Sequence, residues 1–252
     1  MVLGISGLTE TVWWVRVVGY AELVSEVYRG LGDLASRAEK ALDKLNVFCS
    51  SRQDKLVAAY ARLALTMSDL CGSSSERARA YCRKLAKVST YLAKAIYGTY
   101  SAVSSCSTML NTPHVHLSVL EDFREDVERG DIEGLDLELK EALRWVEELG
   151  SACRDHISTA LLSSKSALDA IGEILRGKGI PPPRDWRDPE LEKEHEALQL
   201  LVRVDRLLSI HFASLLYLQK RVEHWHEAIA SRLKALSEFL KTRGGERRES
   251  EK

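Results

Sequence analysis

The sequence predicts an all-α fold: an elongated antiparallel bundle of long amphipathic, coiled-coil-like helices with two short accessory helices. Three observations predict it. Apolar residues recur at alternating steps of three and four over tens of positions, which places them on one stripe of a helix. No stretch carries the period-two alternation of a half-buried strand. Hydrophobic residues at 45% and charged residues at 29% supply both a core and a solvated surface. At 252 residues the chain could form one core or two. The helix lengths favour one elongated body over 1–242, with a linker at 176–187 and a disordered charged tail at 243–252.

The first helix is expected from near Thr9 to Phe48, because Trp13, Val17, Tyr20, Val24, Val27, Leu31, Leu34, Ala38, Ala41 and Leu45 stay in phase throughout. Gly30 and Gly32 weaken its middle by about 1 kcal/mol each relative to alanine, so a bend is allowed there. Ser50 with Gln53 has capping-box spacing and opens a shorter helix carrying Leu56, Tyr60, Leu63, Met67 and Leu70. Gly72 ends it. Ser73 with Glu76 is a second capping box, starting a third helix whose stripe runs Ala78, Tyr81, Leu85, Val88, Leu92, Ala95, Thr99, Ala102, Cys106 and Met109. Asn111, Thr112 and Pro113 are expected to stop it, leaving His114 and His116 in a loop before a short acidic helix from Ser118 to Gly130.

Leu139, Leu143, Val146, Gly150, Cys153, Ile157, Ala160, Ser164, Ala167, Ile171 and Ile174 define a fifth helix from about Asp136 to Leu175. Its middle is rich in small residues, as is the third helix between Ala93 and Ser107, so the two are expected to be close neighbours. After Gly177, Gly179 and Pro181 to Pro183, Asp188 caps a last helix with Pro189 at its favoured first position. Leu191, Leu198, Leu201, Leu208, Leu215, Val222, Ile229, Leu233, Leu236 and Leu240 form its stripe. Between Ala197 and Leu218, a second stripe of Leu200, Val204, Leu207 and Leu218 makes this helix apolar nearly all round, the pattern of a centrally buried segment.

A net charge of −1 argues against a simple, strongly basic nucleic-acid binder. Asn46 and Asn111 are the only asparagines, and Gln53, Gln199 and Gln219 the only glutamines. Scarce amides beside abundant Glu, Lys and Arg match the composition of hyperthermophile proteins, in which intracellular disulfides occur. Cys49, Cys71, Cys82, Cys106 and Cys153 fit no CxxC pattern and are read as structural. Glu10 and Arg16 interrupt the apolar N-terminal stretch, so no cleaved leader is expected, and the location is cytoplasmic. The uncharged run 95–120 is long enough to span a bilayer. Its Asn111, Pro113, His114 and His116 argue against that, and a membrane partner is not expected.

Glu192 with His195, and Glu223 with His226, share the Glu-x-x-His spacing of di-iron bundles. Both pairs lie on one helix, whereas such a site needs facing helices, so surface charge pairs are the simpler account. Arg206 with His211, and Arg221 with His226, match R-x4-H, which resembles the short motif of the HEPN ribonuclease domains. That resemblance covers these residues alone. It implies a metal-independent ribonuclease whose arginine and histidine face an RNA cleft in a helical dimer; Leu207 departs from the polar residue that often follows the arginine. With no P-loop, GxGxxG, nucleophile elbow or HExxH, no catalytic, cofactor-binding or metal residue and no cofactor is assigned.

Charge is distributed in blocks. Arg77, Arg79, Arg83, Lys84, Lys87 and Lys94 make 77–94 basic, a stretch that could face phosphate, while Glu121 to Glu141 is acidic. The two blocks could instead be solvated faces or pair with each other. Asp205, Gln219 and His226 interrupt the last helix's seam, as polar residues that specify a partner do. Trp13 and Trp14, adjacent on a helix, must face different ways, so one of them could anchor at an interface. The expected function is therefore a non-enzymatic scaffold or interaction protein, with a protein partner or self-association through helix seams. The alternatives are the HEPN-like ribonuclease and a membrane-active bundle that exposes 95–120.

Overall fold

Long uninterrupted helices are what in-phase apolar stripes produce, and the computed structural model has five such helices among its described residues. They are α1 (Ser6–Ser50), α2 (Gln53–Cys71), α3 (Glu76–Asp122), α4 (Ile132–Gly177) and α5 (Pro189–Ser250). The structure describes residues 6–50, 53–73, 75–122, 124, 132–177 and 189–250, with side chains over 22–46, 54–73, 75–122, 124, 133–177 and 192–242. No strand occurs among the described residues. The Trp13 and Trp14 side chains and most of the 176–187 linker lie outside them. The α5 backbone continues as helix through Gly244 and Gly245 to Ser250.

The described chain falls into two compact units. One comprises Met1–Lys44, Cys106–Ser151 and Glu223–Lys252; the other comprises Leu45–Ser105 and Ala152–Val222. We call them the first and second units. Each packs four helical segments.

In the first unit, Val24, Val27, Leu31 and Leu34 of α1 are buried with Met109 and Leu110 of α3, Leu135, Leu139 and Val146 of α4, and Ile229, Leu233 and Leu240 of α5. Neighbouring segments run antiparallel. The Tyr28 hydroxyl donates to the Leu120 carbonyl, joining α1 to α3, and Ser237 Oγ donates to Asp136 Oδ1 at 2.6 Å, joining α5 to α4. In the second unit, Leu56, Leu63 and Leu70 of α2 meet Leu85, Val88 and Leu92 of α3, Ala167 and Ile171 of α4, and Leu201, Val204 and Leu208 of α5. A disulfide between Cys71 and Cys82, with Cα atoms 5.4 Å apart, closes the turn from α2 to α3.

Three expectations about helix ends are corrected. The cap of α3 is Ser75, not Ser73: Ser75 Oγ accepts from the Ala78 amide at 3.4 Å, while Ser73 Oγ accepts from the Ser75 amide at 3.1 Å. Pro113 does not stop α3, which continues through it. The ring costs a helix interior about 3 kcal/mol. Met109, Leu110 and Leu120 are each at most 3% exposed on either side of it, and burying such side chains contributes about 1.5 to 3 kcal/mol apiece. Third, His114 and His116 are consequently helical, and Ser118–Asp122 belong to α3, so the start expected at Ser118 is corrected; the rest of that expected acidic helix, 123 and 125–131, lies outside the described residues.

The close approach of α3 and α4 is as the small residues imply. A Cβ added to Gly98 would sit 3.2 Å from the Ala160 Cα, so the two backbones are in contact in the second unit.

Candidate functional site

The residues that stand out are those whose exposure contradicts their chemistry. Between Ala197 and Leu218, α5 is apolar nearly all round, but the second unit covers only one side of it. Val204, Leu208, Leu215 and Leu218 are buried, whereas Val202, Ile210, Leu216 and Tyr217 are 43–56% exposed. The expected central burial of this segment is thus corrected, because no described segment packs on its outer face. At 100° per residue, Val202, Arg206, Ile210, Ala213, Leu216, Tyr217 and Lys220 share that face. Four cations, Arg203, Arg206, Lys220 and Arg221, accompany it, against the single acid Asp205. Arg221 Nε donates to the Tyr217 hydroxyl at 2.7 Å and its guanidinium lies 5.1 Å over the Tyr217 ring. That contact holds the aromatic ring in place on the surface.

The first unit presents the opposite character on α4. Leu137 is 67% and Trp145 39% exposed, on a face shared with Glu141, Arg144 and Glu148. Arg144 bridges both glutamates, and the Trp145 indole donates to Glu141 at 2.9 Å. The side-chain hydrogen bond from Arg144 holds the Glu141 carboxyl below the usual carboxylate range. Over whole units the charge is segregated: the second has 20 Lys and Arg against 13 Asp and Glu, and the first 16 against 24. A chain of net charge −1 therefore carries a basic body and an acidic one.

Within the basic stretch, Arg77 is diverted. Its Nε and Nη2 donate to the two carboxylate oxygens of Glu194 at 3.0 and 3.1 Å, tying α3 to a buried acid on α5. Burial and the Glu194 charge together push the Tyr81 hydroxyl well above the ordinary tyrosine range. Arg79, Arg83, Lys84, Lys87 and Lys94 are exposed and form no ion pair among the described residues. Tyr97, 74% exposed, follows Lys94 on the same face.

The histidines resolve into separate environments. His211 is 4% exposed; Thr99 Oγ1 donates to the Ala95 carbonyl at 2.8 Å and so accepts from His211 Nε2 at 3.0 Å. Burial lowers its pKa to about 4, leaving the ring neutral. Arg206 is exposed, so Arg206 and His211 do not converge on one surface. Arg221 is engaged with Tyr217, and His226 packs on Gly150, where an added Cβ would overlap its ring. Glu192 is exposed and His195 meets Gln199 at 2.9 Å. His116, also 4% exposed, donates from Nδ1 to Glu138 at 2.5 Å and meets Trp145 edge-on at 5.3 Å. No cluster of three or more His, Cys, Asp or Glu side chains able to hold a metal ion occurs among the described residues. No described helix is long and apolar enough to cross a membrane. In the run 95–120, Ala95, Ala102, Cys106 and Met109 are fully buried.

The sequence reading missed the outer face of α5 and the Arg77–Glu194 tie. The first was legible in principle, since Val202, Ile210 and Tyr217 form a third apolar row that one neighbouring side cannot cover. The second had no sequence signal, because 117 residues separate the partners. No family model matches the chain, and no curated protein or solved structure matches it.

Proposed function

We propose that the chain is a non-enzymatic helical assembly protein that joins copies of itself head to tail. In this reading the basic, apolar α5 face of one copy receives the acidic, apolar α4 face of the next. The observation that carries it is the exposure of Val202, Ile210, Leu216 and Tyr217 in a row beside four cations. Large apolar side chains aligned on one exposed face mark contact surfaces, and Tyr and Arg are the side chains enriched where binding energy concentrates. Two copies of the same basic face would repel. A heterologous contact between α5 and the face carrying Leu137, Trp145, Glu141 and Glu148 is complementary in both polarity and charge. The amide-poor composition supports a hyperthermophile origin, and in such an organism the Cys71–Cys82 disulfide is compatible with a cytoplasmic location.

Sedimentation velocity tests the reading. Mass should rise with protein concentration at low salt and fall as salt screens the faces. Tyr217→Ala with Arg206→Glu should leave a monomer with unchanged helix content. A wild-type chain that stays monomeric at low salt and millimolar concentration would remove the proposal.

A second reading is favoured by the exposed row Arg79, Arg83, Lys87, Lys94 and Tyr97: binding of a single-stranded nucleic acid, with phosphates on the cations and a base on the tyrosine. Binding of a labelled oligonucleotide should weaken with salt, and Lys87→Ala should reduce the salt slope by about one. Salt-independent binding, or none, would discard it.

A further inference from the structure

We infer that the first unit holds a binding groove for a single-chain anionic amphiphile, with the acyl carboxylate as the ligand class. This inference is independent of the assembly reading, since it uses neither the outer face of α5 nor that of α4.

The groove arises from how α1 and α5 separate. At Gly30 they touch: an added Cβ would lie 2.7 Å from Leu236 Cδ2 and 3.6 Å from an Arg232 guanidinium nitrogen. Beyond that contact the facing positions are small, with Ala38 and Ala41 on α1 and Ala228 and Ala235 on α5, so the side chains no longer fill the space between the helices. The result is a groove of about 460 Å³, within the range of roughly 300 to 1,000 Å³ for small-molecule sites. It follows α1 from Asp33 to Ala41 for about 12 Å, and α5 from Trp225 to Ala235 for about 15 Å, at 1.5 Å per residue.

Its floor is apolar. Leu34, Leu110 and Ile229, from three different helices, are 2–5% exposed and have no polar side-chain atom to offer. Trp225, half-buried, is part of its lining. The rim is charged: Arg37 from α1 and Arg232 from α5 are both exposed and neither forms an ion pair among the described residues. Asp33, one turn from Arg37, is the acid of the lining and leaves it one net positive charge, which matches a single carboxylate. An apolar trough under two guanidiniums suits a ligand with a hydrocarbon body and an anionic head. A cationic amphiphile would place its head between the two arginines, where it is repelled.

Isothermal titration calorimetry of the full chain tests this with dodecanoate below its micellar concentration and dodecyltrimethylammonium as the control. We expect saturable binding of one dodecanoate per chain, and about tenfold or greater weakening when Arg37 and Arg232 are both changed to alanine, as loss of charge-assisted hydrogen bonds implies. Both arginines are exposed, so this variant should fold. Ala235→Trp, which fills the groove from an exposed position, should also abolish binding. No saturable dodecanoate binding, equal affinity for the cationic amphiphile, or unchanged affinity in either variant would overturn the inference.

Discussion

Gly98 of α3 and Ala160 of α4 meet backbone to backbone: a methyl group added at Gly98 would lie 3.2 Å from the Cα, Cβ and N of Ala160. This is tighter than ordinary carbon contact, and the neighbour is main chain, which cannot rotate away. Gly98→Ala is expected to destabilise the protein by about 1 to 3 kcal/mol through overpacking, even though alanine favours a helix by about 1 kcal/mol. Chemical denaturation reads the outcome, and a variant as stable as the wild type would show that the helices part at no cost.

Gly150 stands in the same relation to a side chain. An added Cβ would overlap the imidazole of His226, so Gly150→Ala should displace that ring and lower stability by about 1 to 3 kcal/mol. Because the obstruction is one side chain, Gly150→Ala combined with His226→Ala should lose less than the sum of the two single variants. Strict additivity in this double-mutant cycle would mean that the two residues do not touch.

The Cys71–Cys82 disulfide closes an 11-residue separation across the α2–α3 turn. By the chain-entropy relation a loop of this size contributes about 3 kcal/mol. Cys71→Ser with Cys82→Ser should lower the denaturation midpoint accordingly; reductant is not an equivalent test, because Cys106 and Cys153 are also disulfide-bonded. An unchanged midpoint in the double variant would contradict the assignment.

His211 makes stability depend on pH. Its ring is kept neutral in the fold, with a pKa near 4 against 6.5 for the free side chain, because burial disfavours the imidazolium. Between those values the unfolded chain binds the proton more readily, so the contribution is complete above about pH 6.5 and is lost as pH falls towards 4. The full effect is on the order of 3 kcal/mol. His211→Gln should flatten that segment of the stability profile relative to wild type. Parallel profiles for the two proteins between pH 6.5 and 4 would show that this ring is not the group responsible.

What could be read without coordinates was local and periodic. Val24 to Leu45, Ala78 to Met109 and Val146 to Ile174 lie on stripes that recur every three or four residues, and these stripes are the buried faces of α1, α3 and α4. A stripe states which side of a helix avoids water, since that preference is set by residues one turn apart. The neighbourhood of Gly98 and Ala160 was legible for a similar reason, as only small side chains permit such proximity.

Tertiary structure decided whatever depends on groups distant in sequence. Pro113 reads as a stop, but burial of Met109, Leu110 and Leu120 outweighs the local penalty, and α3 continues. Arg77 reads as one more cation of a basic stretch, but Glu194 claims it. His211 reads as half of an R-x4-H motif, but folding buries it against Thr99 while Arg206 faces water. The apolar ring of α5 could not say which side would be covered, because that is settled by how many helices reach it. Periodicity along one helix is a property of the chain, whereas charge pairing, groove formation and the choice of open face are properties of several segments brought together.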